Sequence, residues 1–206
     1  MSLPDLLASP ATYLDALDPR ERLAQLRRLN RDQQRSLYQW AATAPPLRLA
    51  DLVPDAGPLV EVIHDGFNTL PVPAPLRRFQ KRLCRPTDGP GPADRRADRP
   101  TDGTVLYGYN EGPLRRLIGP GYFVAAETTD NPTWAERGGV VVDYFRVPDD
   151  QIPPGWPRVV PNEKGLQRNV YHQTRDFLRR VSSHVTVGAA YKNEDPLDHY
   201  FILCRR

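Results

Sequence analysis

Cysteine is scarce in this chain of 206 residues, which contains only Cys84 and Cys204. Two cysteines 120 positions apart form neither a CxxC motif nor a disulfide framework. The four histidines are equally dispersed, and the sequence contains no HxxxH or HExxH motif. Because zinc sites usually draw their ligands from such motifs, the sequence predicts no metal site.

Long apolar runs are also missing. Asp5, Asp15 and Asp18 interrupt the opening residues, which therefore lack the pattern of a secretory signal peptide. No segment approaches the roughly 18 consecutive apolar residues that a membrane-spanning helix needs. We therefore predict no membrane span and a cytoplasmic location.

Lysine is the third shortage, because only three of the 28 basic residues are lysine and the other 25 are arginine. Codon usage in a GC-rich genome explains this arginine-rich, bacterial-like composition; ion-pair networks with the 25 acidic residues are the alternative. The formal net charge is only +3, and basic residues are mostly interleaved with acidic ones. This balance gives no strong signal for nucleic-acid binding.

Proline, in contrast, is abundant: the chain contains 23, roughly twice the usual frequency of about 5%. Hydrophobic residues still make up 39% of the sequence, which is enough to form a buried core. The sequence therefore predicts a folded protein with many abrupt ends between its elements. We divide it into an N-terminal helical segment (1–55), a linker (56–103) and a core (104–206).

Short helices are predicted in the N-terminal segment. The sequence DPRE at 18–21 is typical of a helix start, because it combines a capping aspartate, a proline at the first helical position and a capping-box glutamate. Asn30 can cap the next helix, which ends before Pro45. Helices this short cannot bury their apolar faces alone, so we expect them to dock on another surface.

The linker combines a predicted basic helix with a repeated turn. The segment 76–85 has an apolar stripe at helical spacing, and five basic residues occupy the rest of its surface. The pentapeptide Arg-Pro-Thr-Asp-Gly then occurs twice, at 85–89 and at 99–103. The residues between the copies lack large apolar side chains and cannot offset the entropy lost on ordering. We interpret the repeat as a tandem duplication within a disordered turn.

The core is predicted to combine antiparallel strands with one long helix. The segments 122–128 and 139–147 are typical of one hairpin, and 184–192 and 199–205 of a second. Between the hairpins, apolar residues recur at helical spacing over 166–182. The predicted fold class is therefore α+β: short N-terminal helices packed on a curved antiparallel sheet or partial β-barrel with one long covering helix.

Asp143 is the most unusual residue of this core, because it interrupts the apolar run between Val140 and Phe145. If both faces of the sheet are covered, this carboxylate is buried and serves either in a structural ion pair or as an anchor or acid–base group in a cavity. The alternative is an aspartate at the sheet edge or on its solvent face. Tyrosines in a curved sheet can line an amphipathic pocket. The predicted ligand-binding residues are Asp143, Tyr144, Tyr107 and Arg115, and no catalytic residue is identified.

Other signatures of chemistry are absent from the sequence. The segment 119–121 (GPG) lacks the spacing of a phosphate-binding loop, there is no GxSxG motif, and no cofactor is predicted. The sequence therefore predicts a non-catalytic domain that binds a small ligand or a protein partner. One alternative is a metal-independent enzyme that uses Asp143 and a tyrosine as an acid–base pair. The other is an interaction module whose N-terminal helices dock in a larger assembly.

Overall fold

The computed structural model describes residues 8–87, 105–149 and 151–206 of the chain. Within them, eight strands form a closed antiparallel barrel in which each strand pairs with the next and the last pairs with the first. The strands are β1 (Val62–Asn68), β2 (Arg78–Cys84), β3 (Val105–Glu111), β4 (Phe123–Glu127), β5 (Val140–Asp143), β6 (Thr174–Arg180), β7 (Val185–Lys192) and β8 (Asp195–Arg205). The α-helices are α1 (Pro10–Ala16), α2 (Pro19–Leu26), α3 (Arg31–Trp40), α4 (Leu49–Leu52), α5 (Arg115–Ile118) and α6 (Pro132–Arg137). Two 3-10 helices span Ala74–Arg77 and Gly165–Asn169.

The closed barrel corrects the predicted fold class of a curved antiparallel sheet or partial β-barrel with one long covering helix. The segment 166–182, predicted as that helix, contains part of a 3-10 helix followed by strand β6. Phe177, on the outer face of β6, packs against Trp134 of α6 with ring centroids 6.0 Å apart, while Leu178 lies in the barrel core. Because both faces of β6 are covered, its apolar residues do not alternate, and the sequence pattern resembles that of a helix.

The predicted basic helix at 76–85 is also wrong, since this segment forms strand β2. Phe79, Lys81 and Leu83 lie on the inner face of the barrel, and the intervening Gln80 and Arg82 lie on the outer face. A lysine at an inner position hides the period-two pattern that would identify a strand. Two strands, β1 and β2, therefore come from the segment 56–103 that the sequence assigns to a linker.

The N-terminal helices pack against the outside of the barrel. Asp18 caps α2 by accepting hydrogen bonds from the backbone N–H groups of Arg20 and Glu21, which confirms the predicted start of that helix. Asn30 and Gln33 form the capping box of α3. The apolar faces of α1 to α3 meet the outer faces of β7 and β8 in one buried cluster. The docking surface that these helices need is therefore their own barrel.

One end of the barrel is plugged by the segment that contains α4. Leu47, Leu49 and Leu52 are buried in the same apolar cluster as the side chains of the barrel interior. Nη1 of Arg205 donates to the backbone oxygen of Asp51 over 2.8 Å and ties the last strand to this plug. The plug closes the end of the barrel at which β1 begins, so any access to the interior is from the opposite end.

Three phenylalanines fill the barrel interior by lying over glycines on the neighbouring strand. The cross-strand pairs are Gly66–Phe79, Gly108–Phe123 and Gly188–Phe201. In each pair, a Cβ atom added to the glycine would overlap the phenylalanine ring. Glycine is therefore required for these close approaches, and the repeated pairing directs aromatic rings towards the middle of the barrel.

The described helices are short, and the longest, Arg31–Trp40, has 10 residues. Within the described ranges, no helix has the length and apolar character needed to cross a membrane. Of the two repeated pentapeptides, the structure describes only residues 85–87, so the proposed duplication at 85–89 and 99–103 lies mostly outside the described residues.

Candidate ligand-binding pocket

A cavity of about 340 Å³ opens at the end of the barrel opposite the plug. It lies between the inner faces of the strands and the loops that connect them at this end. Its walls are mainly apolar, and their aliphatic residues include Leu70, Val72, Leu76, Leu114, Ile118, Val170 and Leu197. Phe79, Tyr171 and Phe201 add aromatic surface. This combination of size and lining is typical of a site for one small molecule.

Four polar residues, three on different strands and one directly after β5, form a buried network at the inner end of the cavity. Lys81 Nζ donates to Tyr144 Oη over 2.6 Å, to Asp176 Oδ2 over 3.0 Å and to Asn110 Oδ1 over 3.2 Å. Tyr144 Oη donates to Asp176 Oδ2 over 3.2 Å, and Asn110 Nδ2 donates to Tyr144 Oη over 3.0 Å. The Lys81 and Asp176 side chains are only 2% and 9% exposed, so the ion pair is largely removed from water.

Aromatic rings surround the Lys81 ammonium group. The centroids nearest to Nζ, at 4.9 to 5.8 Å, are those of Phe79, Phe123, Tyr144 and Phe201. The ring faces attract a cation, which offsets part of the cost of burying it. Three of these four rings belong to the glycine–phenylalanine pairs, so the same device that fills the barrel also encloses the lysine.

Burial changes the acid–base character of this network. It lowers the pKa of Lys81, although the charge of Asp176 acts in the opposite direction. Burial raises the pKa of Tyr144 well above its ordinary value, and the Asp176 charge adds to that effect. Tyr171, whose ring stacks on Tyr144 at 5.2 Å, has its pKa raised mainly by burial as well. Both phenols therefore remain protonated at neutral pH.

The rim of the cavity is bordered by exposed apolar side chains. Leu114, Val170 and Leu197 line the cavity and yet remain 38%, 42% and 37% exposed. Arg115 lies at the same rim, where its Nε donates to Glu111 Oε1 over 2.7 Å. The rim therefore offers apolar surface to an incoming molecule, with one ion pair beside it.

Two of the four predicted ligand-binding residues, Tyr144 and Arg115, line this cavity, and the other two lie outside the barrel wall. Asp143 faces the outer side of β5, where its carboxylate forms an ion pair with Arg175 at 3.3 Å. Burial raises the pKa of Asp143, and the positive charge of Arg175 opposes that shift. Tyr107 lies in an outer apolar cluster with Cys84 and its neighbours. The four residues therefore do not form one site.

Comparison with protein-family models, curated proteins and solved structures found no match to this chain. In the residues that the structure describes, no group of three or more histidine, cysteine, aspartate or glutamate side chains is placed to hold a metal ion. The features of the molecule that indicate a function are therefore the cavity and the residues that line it.

Sequence reasoning missed Lys81, Asp176 and Asn110. The sequence RFQKRLC at 78–84 did contain a signal for Lys81. In a strand, period-two alternation places Lys81 between Phe79 and Leu83 on one face. That signal requires the segment to be read as a strand. No sequence signal joins Lys81 to Asp176, which lies 95 positions away and is brought beside it only by closure of the barrel.

Proposed function

We propose that this protein binds one small, mainly apolar molecule in the open end of its barrel. The observation that carries the proposal is the cavity itself, which has apolar walls and ends on the buried Lys81–Asp176–Tyr144–Asn110 network. An eight-stranded barrel is just wide enough either to be filled by side chains or to hold a small ligand. Here the plugged half is filled and the other half contains the 340 Å³ cavity.

The arrangement of polar and apolar groups supports an amphipathic ligand. Apolar parts of the ligand would be buried against the cavity walls, which is the main source of affinity in such sites. A polar group at its leading end would reach the network of Lys81, Tyr144 and Asp176, which fixes its orientation. The exposed side chains of Leu114 and Leu197 would lose contact with water when the cavity is occupied.

The alternatives from the sequence receive less support. The enzyme alternative pairs Asp143 with a tyrosine, and Tyr144, the tyrosine of the buried network, lies on the opposite face of the barrel wall from Asp143, which does not favour that pairing. The N-terminal helices already bury their apolar faces against β7 and β8, which leaves less apolar surface for a partner. Neither alternative explains the cavity at the open end of the barrel, whereas binding of a small molecule does.

A neutral fluorescent probe, N-phenyl-1-naphthylamine, tests the proposal because its emission rises in apolar surroundings. We expect the fluorescence of the probe to rise to saturation, with one binding site per chain. Ala190→Trp fills the cavity from β7 and should weaken binding at least about tenfold, or about 1.4 kcal/mol. The matched control, Ala24→Trp on the exposed side of α2, should bind as the unsubstituted protein does.

Circular dichroism and thermal melting establish that both variants are folded before binding is compared. Absence of saturable binding to the unsubstituted protein would contradict the proposal. If the folded Ala190→Trp variant binds the probe as tightly as the unsubstituted protein, the probe binds outside the barrel. That result would also contradict the proposal.

A further inference from the structure

Lys81 is an unusual side chain for the interior of a small barrel. It is one of three lysines in the chain. Of the other two, Lys164 is exposed and Lys192 is half-buried. Its ammonium group has three hydrogen-bond acceptors and four surrounding rings, yet the residue also lines the cavity. A buried ion pair adds little net stability compared with apolar side chains of the same volume. Stability alone therefore does not explain why a lysine lies here.

We infer that the ligand carries an aldehyde or ketone group and that Lys81 Nζ condenses with it to form an imine. This inference rests on the proposed function, because the carbonyl compound must first occupy the cavity. An amine inside an apolar pocket is a suitable nucleophile for a carbonyl carbon.

The neighbouring groups supply the proton transfers that the condensation needs. Asp176, 3.0 Å from Nζ, accepts a proton from the ammonium group and leaves a neutral amine. The Nζ lone pair then forms a bond to the carbonyl carbon, and a proton moves from nitrogen to the carbonyl oxygen to give a carbinolamine. Asp176 returns its proton to the hydroxyl group, the carbon–oxygen bond breaks, and water leaves. One carbonyl compound and one ammonium group thus give one protonated imine and one water molecule, with the Asp176 carboxylate as counter-ion.

Tyr144 is placed to relay the proton. Its hydroxyl group lies 2.6 Å from Lys81 Nζ and 3.2 Å from Asp176 Oδ2, so it bridges the nucleophile and the carboxylate. Because its phenol stays protonated at neutral pH, it can donate a hydrogen bond to the developing hydroxyl group. Asn110 Nδ2 holds the tyrosine oxygen in position over 3.0 Å.

The surroundings also favour the imine over the free amine and carbonyl compound. The lowered pKa of Lys81 leaves a larger fraction of neutral amine than an exposed lysine has at the same pH. Water is a product of the condensation, and an apolar cavity restricts its return. Phe123 and Phe201 keep the nitrogen in a dry, cation-stabilising space that also suits the protonated imine.

Reductive trapping on the unsubstituted protein tests the inference. The protein is incubated with 2-naphthaldehyde and sodium cyanoborohydride, which reduces an imine to a stable secondary amine, and labelled lysines are identified by peptide mass spectrometry. Lys164 and Lys192 are internal controls in the same sample. We expect Lys81 to be labelled about tenfold faster than either, because the cavity holds the carbonyl group beside Nζ. Labelling of Lys81 should also persist to lower pH than labelling of Lys164.

Two further measurements make the result decisive. Ala190→Trp, which fills the cavity, should slow labelling of Lys81 and leave Lys164 and Lys192 unchanged. The alcohol 2-naphthalenemethanol has the same ring system but no carbonyl group, and its displacement of N-phenyl-1-naphthylamine reports binding without condensation.

The possible outcomes separate the two proposals. If the alcohol displaces the probe but the aldehyde labels Lys81 no faster than Lys192, the imine is overturned and the binding site remains. If the unsubstituted protein binds neither the probe nor the alcohol and Lys81 is not labelled, both proposals fail. Rapid labelling of Lys81 that is unaffected in a folded Ala190→Trp variant would also overturn the inference, since the carbonyl compound would then not react from the cavity.

Discussion

His64 makes the stability of the barrel sensitive to mildly acidic pH. Its side chain lies inside the plugged end, is 2% exposed, and bonds through Nε2 to the backbone oxygen of Leu52 at 2.9 Å. The carbonyl oxygen can only accept, so Nε2 carries the hydrogen of the neutral ring. Nδ1 is buried and has no hydrogen-bond partner among the described residues. Protonation would therefore create a buried cation with an unsatisfied N–H group.

The size of the effect follows from the pKa of His64, which burial lowers from 6.5 to about 4. The hydrogen bond to Leu52 and the charge of Asp65 oppose the shift, whereas the charges of Arg205 and Lys81 add to it. Between pH 4 and 6.5 the unfolded chain binds the proton and the folded chain does not. The stabilisation is thus complete above pH 6.5 and disappears as the pH falls to 4. Neutral His64 contributes about 3 kcal/mol in total to the free energy of unfolding, and about 2 kcal/mol of this is lost between pH 7 and pH 5.

Urea unfolding at pH 7 and pH 5, followed by tryptophan fluorescence, measures this loss. His64→Gln is the comparison variant, because glutamine can still donate to the Leu52 oxygen but does not titrate. We expect the unsubstituted protein to lose about 2 kcal/mol more than the variant between the two pH values. Groups elsewhere in the chain titrate in both proteins and cancel in the difference. An equal loss in both proteins would refute the assignment of His64 as a buried neutral histidine.

Two other predictions concern the barrel interior and are checked by urea unfolding at pH 7. Lys81→Met leaves the Asp176 carboxylate buried without its cation and should lower the free energy of unfolding by about 3–5 kcal/mol. Adding Asp176→Leu should restore most of that loss, and a double variant no more stable than the single one would contradict the argument. Gly108→Ala places a methyl group 2.7 Å from the backbone oxygen of Arg82 and against an aromatic ring, so it should cost about 1–3 kcal/mol. Gly57→Ala, whose new methyl meets no atom closer than 4.0 Å, should change stability by less than about 0.5 kcal/mol, and equal effects of the two glycine variants would refute the close packing at Gly108.

Local signals in the sequence were reliable where they depend on a few neighbouring residues. The caps at Asp18 and Asn30 are present as expected, because each involves backbone groups two or three positions away. The capping box was expected at Asp18 and is found at Asn30. The two hairpins were also identified correctly as antiparallel pairs, β4 with β5 and β7 with β8. Turn residues and β-branched runs mark such hairpins without reference to the rest of the chain.

The candidate site was predicted less well for a physical reason that particular residues illustrate. Tyr144 was identified because it is a large polar aromatic residue in a predicted strand, and it does line the cavity. Asp143 was identified from the same run, but the strand turns it to the outer face, beside Arg175. Lys81 and Asp176 were missed because both strands resemble helices in sequence: the inner lysine hides the alternation of β2, and both faces of β6 are covered.

The sequence by itself determined the short capped helices, the two hairpins and the lack of metal-binding motifs, since these depend on residues near one another in the chain. Only the tertiary structure decided that the sheet closes on itself, that β2 and β6 are strands, and that Lys81 and Asp176 meet. Closure depends on the register of eight strands at once, and a shift of one residue in any of them would exchange its inner and outer faces. The buried ion pair and the cavity beside it exist only in the registers that the whole barrel adopts.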